Sequence, residues 1–246
     1  MSKVLVLIPS RMSAKRLAGK PLLKINNIPI ISHVVSRGLE ARLGEVIVCA
    51  EDEEIVVEVK KNNGKAILTG NYHKNGTERI YEGLQKLKIN NVDHVMLLQG
   101  DEPTIDPEDI KNLYNFMIKN NSEIGTLASI IKENSMLKNE NVVKVITDKE
   151  LKNNNFVEAI NFSRKDLSKE SSNVYHHIGI YCYKISALKK FVNLEQTKNE
   201  IKNRLEQLRA IDNSMQINVA LAKSSPIGID TEEDYLALKK IMEYKS

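Results

Sequence analysis

Over its first 120 residues the chain alternates short apolar runs with longer amphipathic ones, and that rhythm admits few architectures. Residues 4–8, 46–50, 66–69 and 95–99 are compact, largely apolar stretches of strand length, as strands buried on both faces require. Between them, three segments place apolar side chains at helical spacing: 28–42 through Ile31, Val34, Val35 and Leu39; 53–61 through Ile55, Val56 and Val59; 77–87 through Ile80, Leu84 and Leu87. A fourth, 107–119, opens on Pro107, which suits a first helical turn because its missing N–H would have no partner there. Strand and helix in this order predict an α/β fold: a mostly parallel central sheet with helices on both faces.

Beyond residue 120 the pattern loosens. Residues 127–131, 142–147, 156–162, 178–184 and 217–222 read as strands. Residues 200–211 read as a helix with Ile201, Leu205 and Leu208 on one face, and 231–244 as a closing helix. The polar, Ser/Lys-rich stretch 165–173 reads as a mobile loop. No repeat, linker or low-complexity tract separates the halves. The expectation is therefore one domain over 1–246, with a small α+β extension on the α/β body.

Composition excludes several classes. With 41% hydrophobic and 28% charged residues, the chain is ordinary globular material rather than disordered. No apolar run approaches the roughly 18 residues that span a bilayer, and the apolar run 4–8 is too short for a signal-peptide core. A protein without a membrane role, in the cytoplasm, is expected. Cys49 and Cys182 each lie in an apolar run, which suggests buried thiols in a reducing compartment. A net charge of +4 is too mild to indicate a nucleic-acid partner. The cations are skewed, however: 28 are Lys and only 8 are Arg. Where Lys is the default, a position that keeps Arg points to a need for the forked guanidinium.

Three constellations carry chemistry. The first is Ile8-Pro9-Ser10-Arg11-Met12-Ser13-Ala14-Lys15-Arg16-Leu17-Ala18-Gly19-Lys20-Pro21, a loop leaving the first strand at the sheet edge where open α/β folds bind ligands. Its cations are Arg11, Lys15, Arg16 and Lys20, with no acid among them, a composition suited to polyphosphate. It matches neither a Walker loop nor a dinucleotide fingerprint, and charge alone would also fit a solvated basic loop. The second is Gln99-Gly100-Asp101-Glu102-Pro103, which delivers Asp101 to a strand's carboxyl end. Hard oxygens there suit Mg²⁺, although an acidic turn before a proline has the same spacing. The third is Gly228-Ile229-Asp230-Thr231-Glu232-Glu233-Asp234. Thr231 with Asp234 resembles a capping box, which leaves Asp230 available as a second metal ligand.

Weaker signals follow. Strand alternation places His177, Gly179, Tyr181 and Tyr183 on one face, which could receive a polyhydroxyl ligand or simply hold a satisfied core histidine. Glu206, Gln207 and Arg209 fall off the apolar stripe of their helix and read first as a solvated face. Asn75-Gly76-Thr77-Glu78-Arg79 reads as a helix start.

Taken in order, these segments resemble the cytidylyltransferases that activate 3-deoxy-manno-octulosonate (Kdo). The resemblance runs from Val4 to about Leu238. Besides the constellations above, it rests on Asn141-Val142-Val143-Lys144-Val145, Phe162-Ser163-Arg164, His177-Ile178-Gly179-Ile180-Tyr181 and Leu205-Glu206-Gln207-Leu208-Arg209. Five of the eight arginines (Arg11, Arg16, Arg79, Arg164 and Arg209) fall inside these segments. The resemblance implies a nucleotide-diphospho-sugar transferase-like fold with a small dimerisation extension, a homodimer, and dependence on Mg²⁺. It also implies the reaction CTP + Kdo → CMP-Kdo + pyrophosphate, supplying lipopolysaccharide biosynthesis in the cytoplasm.

By the same resemblance, Arg11, Arg16 and Lys20 hold the CTP phosphates, with Ser10 on the nucleotide side. Asp101 and Asp230 bind Mg²⁺ and, with Lys20, form the catalytic set. Asn75, Gly76, Thr77 and Arg79 lie beside the cytosine and ribose, and Gln99 lies near the nucleotide–sugar boundary. Arg164, His177, Tyr181, Glu206 and Gln207 face the sugar.

The chain departs from the family's pattern at four places. Ala18 stands for the usual proline, and Ala50-Glu51 for Thr-Asp. Lys165-Asp166-Leu167 replaces an Ile-Pro segment, and Asn199-Glu200 with Asn203 replaces Pro-Leu-Glu and a second Glu. The last two lie on the sugar side, so a related sugar acid (8-amino-Kdo or an acylneuraminate) is the alternative substrate. A non-catalytic nucleotide- or RNA-binding module would use the basic loop but leave Asp101 and Asp230 without a role.

Overall fold

The computed structural model describes residues 3–13, 16–89, 91–169 and 173–244. Lys15 of the basic loop and residues 170–172 of the 165–173 segment lie outside the described residues. In chain order the elements are β1 (Val4–Ser10), a 3-10 turn (Lys20–Leu22), β2 (Lys24–Ile25), β3 (Ile28–Pro29), α1 (Ile30–Glu40), β4 (Val46–Ala50), α2 (Glu53–Lys61), β5 (Lys65–Leu68), α3 (Gly76–Leu87), β6 (His94–Leu97) and α4 (Pro107–Asn120). The second half adds β7 (Ile124–Ser129), α5 (Asn134–Lys138), β8 (Lys144–Thr147), β9 (Val157–Ser163), β10 (Val174–Lys184), α6 (Ile185–Val192), α7 (Lys198–Asn203), α8 (Leu208–Asp212), β11 (Ile217–Leu221) and α9 (Glu232–Glu243).

The chain forms two compact units, one from residues 1–111 and 226–246, the other from 112–225. The first carries the strand order β5-β4-β1-β6, with every pairing parallel. Its central strands, β1 and β4, are buried almost throughout because helices cover both sides. Gly38 of α1 packs on Val46, and Gly83 of α3 packs on Cys49. Val46 and Cys49 are three residues apart on β4, so they face opposite sides of the sheet. β1 runs beyond its apolar stretch, since Pro9 and Ser10 lie opposite Cys49 and Ala50; the basic loop therefore departs from Ser10. Ile25, Ile30, Ile229 and Leu238 form a buried cluster with Leu17 and Tyr235 against it, which fixes the segment before α9 next to that loop.

The second unit has the order β10-β7-β11-β9-β8. Only β7 with β11 is parallel; β10–β7, β11–β9, β8–β9 and β10–β8 are antiparallel. Three differences from the sequence expectation have local causes. β10 begins at Val174 rather than 178, because residues 174–176 pair with β8. α6 was not expected, although Ala187, Leu188 and Phe191 bury one helical face. The helix expected over 200–211 is two short helices, since Arg204 turns left-handed at φ 53. That turn removes Ile201 from the common stripe: it is 60% exposed, whereas Leu205 and Leu208 are buried. No helix among the described residues is long and apolar enough to cross a membrane.

Candidate active site

The basic loop is held at both ends. Met12 N–H donates to Asp52 Oδ2 at 2.7 Å, and Gly19, at φ 70, donates to the Met12 carbonyl at 3.2 Å. The left-handed turn at Gly19 starts the 3-10 turn that orients Lys20. At the head of the loop the Ser10 hydroxyl is buried without a hydrogen-bond partner, a cost normally met by an ordered water or a ligand. Arg11 and Arg16 are exposed.

Lys20 gathers both candidate metal carboxylates. Its Nζ donates to Asp101 Oδ2 and to the Ile229 carbonyl, each at 2.6 Å, and lies 3.6 Å from Asp230 Oδ1. The other Asp230 oxygen lies 3.6 Å from Arg16 NH1. Packing explains the convergence. A Cβ on Gly100 would come within 2.9 Å of the Pro9 carbonyl, so only glycine lets the 99–103 turn approach β1 this closely. Ile229, fully buried, ties its N–H to the Asp101 carbonyl at 3.0 Å. Thr231 and Asp234 form a reciprocal capping box on α9, so the Asp230 carboxylate is not used as a cap.

The donor set fits Mg²⁺, which takes one or two carboxylates and completes its shell with phosphate oxygens and water. Among the described residues no group of three or more His, Cys, Asp or Glu side chains is placed to hold a metal. A cation between Asp101 and Asp230 would therefore depend on substrate oxygens.

On the expected nucleotide side, Asn75 caps α3 by accepting from Glu78 N–H at 2.8 Å. Gly76 closely approaches the Pro9 ring, and both residues are partly exposed, as is Gln99. Thr77 is buried. Arg79, expected beside the nucleotide, is only 2% exposed. Its guanidinium is paired with Glu51 and donates to Thr69 Oγ1 and the Gly70 carbonyl, each at 2.9 Å. It braces the β5–α3 loop from beneath. Glu51, the departure after β4, is its counter-ion.

Glu82, one turn further along α3, completes the brace and was not anticipated. It accepts from Gly70 N–H at 2.8 Å, pairs with His73, and meets Lys86 Nζ at 2.7 Å. Burial alone would raise its pKa, but the bonds from Lys86, His73 and Gly70 hold it at about 2. The spacing Arg79, Glu82, Lys86 on one face of α3 was the available signal.

In the second unit the expected sugar-facing residues surround an irregularity in β10. Its register with β7 shifts between Ile178 and Tyr181. The Thr126 hydroxyl lies 2.7 Å from the Ile180 carbonyl, 3.2 Å from that of Ile178 and 3.0 Å from His177 Nε2. A hydroxyl has one proton, and its shortest contact is with Ile180, so His177 donates through Nε2–H. Burial first, then His176 and Arg164, bring the His177 pKa down to about 3. The rings of His177, Tyr181 and Tyr183 do run along one face, 5.5 and 5.7 Å apart, but they are buried. The Tyr181 hydroxyl has no hydrogen-bond partner.

Glu206 is partly exposed, while Gln207 and Arg209 are buried, so the solvated helix face expected there is not what forms. The left-handed turn at Arg204 redirects these side chains inward. Arg164 donates to the carbonyls of Glu140 and Asn141, each at 3.2 Å. Lys144, fully buried and also unanticipated, donates to the Asn139 and Arg164 carbonyls at 2.9 and 3.0 Å; burial lowers its pKa.

A parallel α/β sheet with a cationic loop at one strand's carboxyl end and two facing carboxylates defines the nucleotidyltransferase class. The chain belongs to the cytidylyltransferase family, whose model matches residues 5–217, and within it groups with the 3-deoxy-manno-octulosonate cytidylyltransferases. It is 40% identical over 239 residues to the 3-deoxy-manno-octulosonate cytidylyltransferase of Afipia carboxidovorans, covering 97% of this chain and 96% of that protein. It is 40% identical over 233 residues to that of Brucella anthropi, covering 94% and 93%. The fold matches a CMP:2-keto-3-deoxy-manno-octonic acid synthetase solved with CTP, at TM-score 0.89 and 30% identity over all of both chains. The sheet and helices are thus those of a nucleotide-diphospho-sugar transferase-like fold.

Proposed function

We propose that the protein transfers CMP from CTP to Kdo, releasing pyrophosphate. The observation that carries this reading is the convergence of Lys20, Asp101 and Asp230 at the foot of a loop bearing Arg11 and Arg16. Lys20, Arg16 and Arg11 bind the triphosphate, and their charges stabilise the leaving pyrophosphate. Ser10, with its unpartnered hydroxyl, lies on the nucleotide side with Gln99 and with Asn75, Gly76 and Thr77. Arg79 acts there through the loop it braces. Mg²⁺ held by Asp101 and Asp230 would supply charge neutralisation at the α-phosphate. The sugar's anomeric hydroxyl attacks the α-phosphorus in line, with no protein nucleophile.

Arg164, His177, Tyr181, Glu206 and Gln207 form the sugar side in this reading. His177 stays neutral and offers its remaining ring nitrogen as an acceptor. The buried Tyr181 hydroxyl, lacking a partner, supports a role in receiving a polar ligand. The same reading takes the chain as one nucleotidyltransferase domain over 1–246, a homodimer using the α+β part, and a protein of the cytoplasm supplying lipopolysaccharide biosynthesis. Neither a nucleic-acid nor a membrane partner is part of this reading.

Pyrophosphate release from CTP and Mg²⁺ with Kdo, 8-amino-Kdo and N-acetylneuraminate tests it. The expected result is turnover that requires CTP and prefers Kdo. Equal or greater turnover with either other acid would reassign the substrate, and none with any acid would overturn the reading.

A further inference from the structure

We propose that the Lys20 ammonium is a built-in counter-cation. It holds Asp101 and Asp230 in the metal-free protein, yields them when a divalent ion binds, and only then turns to the triphosphate. This rests on the reading of Asp101 and Asp230 as metal ligands.

An ammonium has three N–H donors and no acceptor. Two of those of Lys20 are spent at 2.6 Å on Asp101 Oδ2 and the Ile229 carbonyl, and Asp230 Oδ1 at 3.6 Å is the remaining anionic neighbour. In this arrangement two of the three N–H groups are committed within the protein, and the third has Asp230 as its nearby anion, so the ammonium is held away from a phosphate. Its side chain is only 12% exposed, so it is screened less than Asp230, at 51%. Two carboxylates facing one another without an intervening cation repel, and Lys20 relieves that repulsion in the absence of metal. A divalent ion placed between the same carboxylates meets the ammonium as a like charge at close range. The flexible four-carbon stem lets the ammonium swing away, and a bound triphosphate offers it new anionic partners. Metal and nucleotide are thereby coupled: each favours the arrangement that the other needs. Arg16 does not substitute, because at half exposure its charge is screened more strongly than that of Lys20.

The test is Mn²⁺ binding without nucleotide, followed by the electron paramagnetic resonance signal of free Mn²⁺, for the wild type, Lys20→Met, Lys20→Gln and Asp101→Asn. Both Lys20 variants should bind Mn²⁺ about tenfold more tightly than the wild type, a factor in keeping with removing one close, partly screened charge. Mn²⁺ should also raise their melting temperatures more than it raises that of the wild type. Asp101→Asn should lose binding. If Asp101→Asn loses binding while both Lys20 variants bind no more tightly than the wild type, the counter-cation proposal falls and the metal reading stands. If Asp101→Asn binds like the wild type, or if none of the four proteins binds, the metal reading itself falls.

Discussion

Arg209 and Glu200 form a two-pronged ion pair inside the second unit, Nε to Oε2 at 2.9 Å and a terminal nitrogen to Oε1 at 2.6 Å. Both side chains are buried, at 1% and 3% exposure, and the guanidinium carbon lies 4.9 Å from the centre of the Phe191 ring. The pair joins α7 to α8 across the turn that carries Glu206 and Gln207. Arg209→Met should cost about 3–5 kcal/mol, because it strands a buried carboxylate. Replacing Glu200 by Gln in the same chain should recover part of that loss. Urea unfolding of the single and double variants measures both, and additive losses would show that the two residues do not act as a pair.

Asp101→Asn removes one of two carboxylates at Lys20 while keeping size and shape. Turnover should fall by at least about a hundredfold, with the circular dichroism spectrum unchanged. Near-wild-type turnover at saturating CTP and Mg²⁺ would remove Asp101 from the chemistry.

Glu82 makes part of the acid stability predictable. Its pKa falls from 4.5 to about 2 on folding, so the unfolded chain takes up this proton first as pH drops. Its contribution is therefore complete above about 4.5 and is lost as pH falls towards 2. Glu82→Gln should be less stable than wild type at pH 7, and the gap should close across that window. A gap that persisted unchanged to pH 2 would mean that the ionised carboxylate is not what stabilises the loop.

His177 titrates far below the neutral range. With its pKa at about 3 in the fold against 6.5 outside it, it costs stability only below about pH 6.5, increasingly until about pH 3. Its ring signals in a heteronuclear NMR titration should stay fixed between pH 5 and 8. A midpoint near 6.5 would show that the imidazole is open to solvent and that the Thr126 contact is not maintained.

Much of the first unit was legible because its strands are buried on both sides and its helices carry clean stripes. β4 and α2 match the sequence reading residue for residue, and the Thr231 capping box was plain in the spacing. The second unit resisted for identifiable reasons. The shift in β10 depends on Thr126, which lies 51 residues from His177 and has no local signature. The break at Arg204 has no Gly or Pro to announce it; a left-handed arginine is set by the capping box before it and the buried pair beyond. In the site, carboxylates and cations could be nominated from loops at strand ends, but their partners could not. Glu51 registers in the sequence only as a departure from the family pattern and Asp52 carries no signal, yet they brace Arg79 and the basic loop. Lys144 stands in one of the quoted motifs without an assigned role, yet it is wholly buried on two carbonyls.

Lys20 finds its partners 81 and 209 residues away along the chain, and the more distant one is presented by the segment that α9 anchors. The parallel strands of the first unit, by contrast, are all in place before residue 100. The charge cluster therefore depends on a chain segment that the parallel strands do not need. Ile229 shares one buried cluster with Leu238 of α9, so a substitution that loosens α9 would disturb Asp230 and the Ile229 carbonyl together while leaving the strand pairings of the sheet untouched.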